Sequence, residues 1–236
     1  MAEVYFDSYF HLSGYGSFLK VDSSKIDYFI TYVNENKIKA IAINKYWGYH
    51  KKDISFVKDC PLLEKLFIVG DDFNIKEVNS LIHLTFLSTS SDIENLNFGN
   101  FPELEYCCIN WNTAASLLEK CRKLVFLKIN KYKSKNKNLC DLPKCERIIQ
   151  LQLSESTITS LEGIEFYARS LKKLGLFYMS KLENIKGIAS LDKVEELEIE
   201  CAKKIKDISE IGKLVLLKKI ILSHCGIIST IKFLRV

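Results

Sequence analysis

Apolar positions along this chain fall into a ladder. Ile148, Leu171, Val194 and Leu217 each open the pattern apolar-x-x-apolar-x-apolar, and successive openings are 23 residues apart. Extended over the whole sequence, the pattern opens nine times, at Ile38, Leu63, Leu84, Leu104, Leu124, Ile148, Leu171, Val194 and Leu217, with less regular spacing in the first half. The last two apolar positions of each motif, such as Leu151 with Leu153 or Leu197 with Ile199, are two residues apart, so both point to the same side of one short strand. Between strands the period changes to three, as in Ile205, Ile208, Ile211 and Leu214, in Ile75, Val78 and Leu81, and in Leu139, Leu142 and Cys145. A step of three suits short helical or 3-10 turns. Taken alone it also fits amphipathic helices of a helical solenoid, but two periods inside one unit favour a strand followed by a tight return. Such a unit cannot bury its apolar side alone and must stack on its neighbours, which predicts one parallel sheet.

Ahead of the first motif, Ser23 and Ser24 precede Ile26, Phe29, Ile30 and Val33, a helical spacing behind an N-cap. Val4, Tyr5 and Phe6 lead through Ser13-Gly14-Tyr15-Gly16 to Phe18 and Val21, which reads as two strands around a glycine turn. Residues 1–35 are therefore expected to cap a solenoid of about nine repeats over 36–236, within one structural domain. At the other end, Ile228, Ile231 and Leu234 finish the last return half with few polar residues, leaving an apolar terminus that a second copy or the last turn would cover.

The units resemble bacterial leucine-rich repeats of the short, internalin-like class over about residues 36–236. The resemblance implies an α/β solenoid: a leucine-rich repeat horseshoe with a parallel sheet on the concave face and short helical or 3-10 turns on the convex face. The asparagine that follows the strand in that family has counterparts in Asn112 and, more loosely, Asp71 and Asp92, whereas Tyr46, Tyr132, Ser156, Met179, Ala202 and Cys225 take its place elsewhere. Tyr, Met and Ala cannot bond turn backbone as Asn does, so those turns are expected to differ.

Composition narrows the function classes. With 47% hydrophobic residues the chain can bury a continuous core. No run of about eighteen apolar residues predicts a membrane helix, and the first twenty residues lack the basic and apolar regions of a secretory signal. The chain is thus expected in the cytoplasm, with its eight cysteines reduced. Cys60, Cys121 and Cys145 stand three residues before strand openings, and Cys107 falls on a ladder anchor, where thiols act as small buried hydrophobes. The four histidines are scattered, no CxxC pair occurs, and Gly14-Tyr15-Gly16 lacks the rest of a phosphate loop. No cofactor, metal or catalytic residue is assigned. The net charge of +5 is modest, and the lysines at 128, 131, 133, 135 and 137 read as a solvated loop or a site for phosphate or an acidic protein. Without interleaved glycine or arginine they do not predict nucleic-acid binding.

In the implied fold, strand residues between anchors face the concave surface. Phe86, Tyr106 and Phe126 occupy equivalent places on consecutive rungs, about 4.8 Å apart, with Phe67 and Trp111 close by. Such a stripe either binds a protein or is shielded beneath the N-terminal segment. Glu196, Glu198 and Glu200 share one face of a single strand, with Glu155 two repeats earlier. They form either an acidic dock for a basic partner or a ladder neutralised by Lys173 and Lys219. These eight residues, Phe67, Phe86, Tyr106, Trp111, Phe126, Glu196, Glu198 and Glu200, are the candidate partner-binding set. The sequence reads as a non-catalytic module, monomeric or weakly dimeric, that grips an unidentified protein partner, as an inhibitor or immunity protein neutralising a toxin or enzyme would. The alternative is an assembly protein that self-associates through its apolar C-terminal end.

Overall fold

The computed structural model describes residues 8–228 and Thr230, arranged as two compact units, 1–123 and 124–236. The first unit opens with an antiparallel hairpin of β1 (Tyr9–Leu12) and β2 (Gly16–Lys20), in register Tyr9 to Leu19. The expected strand residues Val4, Tyr5 and Phe6 lie outside the described residues. After β2 comes a 3-10 turn, Ser23–Lys25, and then α1 (Ile26–Glu35), which buries Phe29 and Val33. The cap is not one of the expected serines. Asp22 accepts from the Ser24 amide at 2.9 Å and its hydroxyl at 2.7 Å, while the buried Ser23 hydroxyl donates to the Gly48 carbonyl. Parallel strands follow: β3 (Ala40–Asn44), β4 (Lys65–Val69), β5 (Phe86–Thr89) and β6 (Tyr106–Asn110). The second unit continues the repeat with β7 (Phe126–Asn130), β8 (Gln150–Ser154), β9 (Lys173–Phe177), β10 (Glu196–Glu200) and β11 (Lys219–Ser223), all parallel.

Each of the nine strands from β3 onward begins two residues after its apolar opening, as the ladder requires. One hydrogen-bond device recurs where the strands start. Two successive amides donate to one carbonyl of the preceding rung: Thr85 and Phe86 to Glu64, Lys172 and Lys173 to Ile149, Glu195 and Glu196 to Lys172. It sets the register of each rung on the last, so anchor stacks on anchor. Leu66, Leu87 and Cys107 are fully buried in the first unit, as are Leu127, Leu151 and Leu153 in the second. The return halves are 3-10 turns, among them Lys76–Ser80, Thr113–Lys120 and Ser209–Lys213, and their third-position side chains complete the core. Cys60, Cys107, Cys121 and Cys145 are all buried within it, and burial, followed by the Asp59 charge, pushes the Cys60 thiol up to about 12.

Turn chemistry departs from the family pattern in an ordered way. Asn112 and Asp92 do accept backbone amides, from Ala114 and Glu94. In the second unit Ser156 keeps that duty, accepting from Ile158, and in the other repeats polar residues further along the chain, Asn138, Asn184 and Asp207, accept from Cys140, Lys186 and Ser209. Tyr132, Met179 and Ala202 are then free to be buried as core. The residue after each strand of this unit, Lys131, Glu155, Tyr178, Cys201 and His224, takes a left-handed backbone, φ 51 to 56°. That turn aims the amides of Lys131, Glu155 and Cys201 at the last carbonyl of the following strand.

Candidate functional site

On the open face of the first unit, opposite the anchors, the side chains of Ala42, Phe67, Phe86 and Tyr106 would leave a broad apolar surface in water. The N-terminal hairpin folds over it. Phe10 lies 4.9 Å from Phe67 and 5.0 Å from Trp47, Phe18 lies 5.3 Å from Phe86, and Tyr15 at the hairpin turn meets Phe86 at 5.3 Å and Tyr106 edge-on at 4.5 Å. Beneath Tyr15, Phe86 and Tyr106 stack at 4.2 Å. Lys65 donates its Nζ to the Tyr15 carbonyl at 2.9 Å, fixing the hairpin turn to the rung below. Phe18, Ala42 and Phe86 form a second core on this face of the sheet.

Of the two readings left open for the aromatic stripe, shielding beneath the N-terminal segment fits Phe67, Phe86 and Tyr106. Phe86 is 2% exposed and Phe126, at the start of β7 in the second unit, 9%. Phe67 and Tyr106 are half-buried, and burial, more than the neighbouring Cys108, raises the Tyr106 hydroxyl far above its usual range. Trp111 follows β6 and is also half-buried. For Phe67, Phe86 and Tyr106 the physical reason is that leaving a large apolar side chain in water costs about 1.5–3 kcal/mol, and the N-terminal hairpin covers them.

The open face of the second unit is polar. Its first row across β8 to β11 reads Gln150, Lys173, Glu196, Lys219, and its second Gln152, Gly175, Glu198, Ile221. Lys173 and Glu196 form an ion pair at 2.7 Å, so the first carboxylate of β10 is neutralised. Glu198 is flanked in register by Gly175 and Ile221, and Glu200 by Ser223. Neither makes an ion pair among the described residues, so the neutralised ladder covers only the first of the three. Glu155 lies outside the rows of this face, because β8 ends at Ser154 and Glu155 takes a left-handed backbone in the turn that follows. A shallow depression of about 50 Å³ opens here, with Gln150, Gln152, Lys173, Glu196, Glu198 and Lys219 around it and Gly175 in its lining.

Gly175 was not among the sequence candidates, and neither was Phe177. A side chain at 175 would begin 2.6 Å from the Phe177 ring and 3.2 Å from Gln152 Cγ, so the missing Cβ is what lets the Phe177 ring lie down along its own strand. The signal was present as the one glycine among the nine second-row positions, two residues before an aromatic. The lysines at 131, 133, 135 and 137 are exposed beyond the end of β7, and Lys128 is half-buried on it. His11 pairs with Ser17 across the hairpin and His224 with Ser223 after β11, in different units. No described helix is long and apolar enough to cross a membrane.

No protein-family model matches the chain, and neither does any curated protein. Among solved structures, it is similar to an internalin (inlF) from Listeria monocytogenes at 18% identity and TM-score 0.58, over 92% of this chain and 69% of that one. It is also similar to internalin C2 from the same species at 16% identity and TM-score 0.52, over 72% of this chain and 75% of that one. The strand, the 3-10 return and the stacked anchors are thus those of a bacterial, internalin-like leucine-rich repeat fold.

Proposed function

We propose that this chain is a non-catalytic protein-recognition module whose working surface is the open sheet face of residues 124–236. One observation carries the reading. The equivalent face in residues 1–123 is filled by the chain's own hairpin, whereas rungs β8 to β11 present Gln150, Gln152, Glu198 and Glu200 in partly exposed positions with no chain over them that the described residues include. A rigid sheet with independently variable outward positions can present a large complementary surface, and a shallow polar face lacks the enclosed pocket that acid–base chemistry needs. The candidate set is reduced by this reading. Glu198 and Glu200 remain as contact residues and Glu196 as their neighbour, while Phe67, Phe86 and Tyr106 act by holding the hairpin. A compact recognition surface without a catalytic site suits an inhibitor or immunity protein that neutralises a toxin or enzyme. Eight thiols, none in a disulfide, suit a reducing compartment such as the cytoplasm.

The test is a photo-crosslinking side chain placed at Gln152, on the sheet face, and in parallel at Glu210, in a return half. A discrete adduct formed in cells from position 152 and absent from 210 supports the reading, and adducts from 210 alone remove it. Self-association through the C-terminal end is the second reading, favoured by Val215 and by Ile227, which is 92% exposed. Ile231 and Leu234, on which it also rests, lie outside the described residues. Light scattering over a dilution series decides it, since a monomer at every concentration excludes it.

A further inference from the structure

The face described above also carries a statement about the chemistry of what it binds, which rests on reading that face as the recognition surface. Three features meet on β9 and β10. The Phe177 ring lies down along its strand, over the position where residue 175 has no side chain, and stays half-exposed. Glu198 and Glu200 project from the same face of the adjacent strand, about 7 Å apart along it and about 5 Å from the β9 backbone. Their register neighbours Gly175, Ile221 and Ser223 carry no charge, and among the described residues neither carboxylate has an ion-pair partner. The two carboxylates lie in a basic half of the chain, where residues 124–236 contain 21 lysines and arginines against 13 aspartates and glutamates. Among the described residues of the unit four other carboxylates do meet lysines: Glu195 meets Lys172 and Lys218, Glu196 meets Lys173, Glu183 meets Lys204, and Glu210 meets Lys213. In a chain so rich in lysine, two carboxylates left unmatched beside an aromatic ring are complementary to a cation brought from outside.

We propose that Phe177, Glu198 and Glu200 seat an arginine side chain of a partner protein. The guanidinium stacks on the Phe177 ring and donates to the two carboxylates. Arginine fits better than lysine, because its planar fork bonds carboxylates in pairs while its face lies on a ring, whereas an ammonium is a strongly hydrated point charge. The Lys173–Glu196 pair bounds the seat on one side and excludes a long polycationic strip, so one arginine flanked by uncharged residues is the matching sequence.

The probe is a fluorescein-labelled nine-residue peptide of glycine and serine with one central arginine, read by anisotropy against the full chain, beside the same peptide carrying lysine. The arginine peptide is expected to bind at least about fivefold more tightly than the lysine peptide. Combined Glu198→Gln and Glu200→Gln weakens it about tenfold or more, and Phe177→Leu about threefold to tenfold. Gly175→Ala, which lifts the ring without altering charge, weakens it too. Combined Glu183→Gln and Glu210→Gln makes the same change in net charge off this face and leaves binding unchanged, and thermal melts confirm that each variant is folded. Equal affinity for the two peptides, equal loss in the control pair, or no arginine-peptide binding up to millimolar concentration overturns the proposal. A crosslinked partner at position 152 together with any of those results keeps the recognition face and removes the arginine seat.

Discussion

The Phe86 and Tyr106 rings stack 4.2 Å apart with their planes at 8°, roofed by Tyr15 of the N-terminal hairpin. A row of aromatics on a sheet face has two physical outcomes, an interface with another chain or a second core made with the same chain. Here the hairpin takes the place of a partner, and the rows that looked most adhesive in sequence are its anchorage.

This gives the first prediction. Phe86→Ala should destabilise the first unit by about 3–5 kcal/mol, the usual cost of emptying a buried aromatic site in a core. Phe10→Ala removes a half-buried ring from the rim of the same cluster, so it should cost less, while loosening the hairpin from Phe67 and Trp47. Urea unfolding measures the first effect and proteolysis within the hairpin the second. A Phe86→Ala loss below about 1 kcal/mol would mean that the face is not a core.

Asp22 supports a second prediction, about acid stability. Bonds from the Ser24 hydroxyl and amide hold its carboxyl below the usual range, against a smaller opposing effect of burial. A folded-state value below the unfolded one means that the charged form is stabilised in the fold. That stability is complete above the unfolded value near 3.8 and is lost as pH falls through the lower folded value. Asp22→Ala should cost about 1 kcal/mol at neutral pH, as for other lost N-caps. Asp22→Asn keeps an accepting oxygen and should make the acid limb of the stability profile shallower. Denaturant midpoints from pH 6 to 2 test both, and an unchanged slope in the Asn variant would sink the argument.

How far the chain could be read before folding depended on which force set each feature. Strand positions follow from hydrophobic periodicity and were legible to the residue, because Ile148, Leu171 and Val194 must stack whatever lies between them. The 3-10 returns followed for the same reason. Turn chemistry was legible only in part: Asn184 and Asp207 do the work that the family pattern gives to positions 179 and 202, and a polar residue in a loop carries no periodic signal of its own. The fate of Phe86 was least legible. Its burial depends on where Tyr15 and Phe18 come to rest, a long-range contact that one strand's pattern does not encode. The Gly175–Phe177 arrangement required seeing a missing side chain as space.

Thiol chemistry offers a third test of the fold. Cys60, Cys107, Cys121 and Cys145 are buried and Cys140 is exposed. Burial pushes the Cys121 thiol up to about 12, so at neutral pH it is both unreachable and protonated. Cys140 is also raised, by desolvation first and then by Glu162 and Glu165, so its labelling is expected to be slow at pH 7 and to accelerate only above pH 9 as the thiolate forms. Peptide mapping after brief alkylation should show Cys140 modified first and the four buried thiols protected until denaturant is added. Early labelling of Cys121 would contradict the packing of the return halves.

The repeated left-handed turn after the strands of the second unit supplies the last prediction. An L residue there crowds its Cβ against the following carbonyl at a cost of about 1–2 kcal/mol, which glycine avoids. Tyr178 is the position to test, because at 58% exposure its ring has little burial to lose. Tyr178→Gly gives back part of the gain through a more flexible unfolded chain, so a net stabilisation of about 0.5–1 kcal/mol is expected. Tyr178→Val carries a β-branched side chain into the same crowded geometry and should destabilise instead. The opposite signs separate backbone strain from loss of the tyrosine, since both variants remove the ring. Urea midpoints for the two variants decide the matter: if glycine and valine shift stability in the same direction, the exposed ring and not the backbone controls this turn.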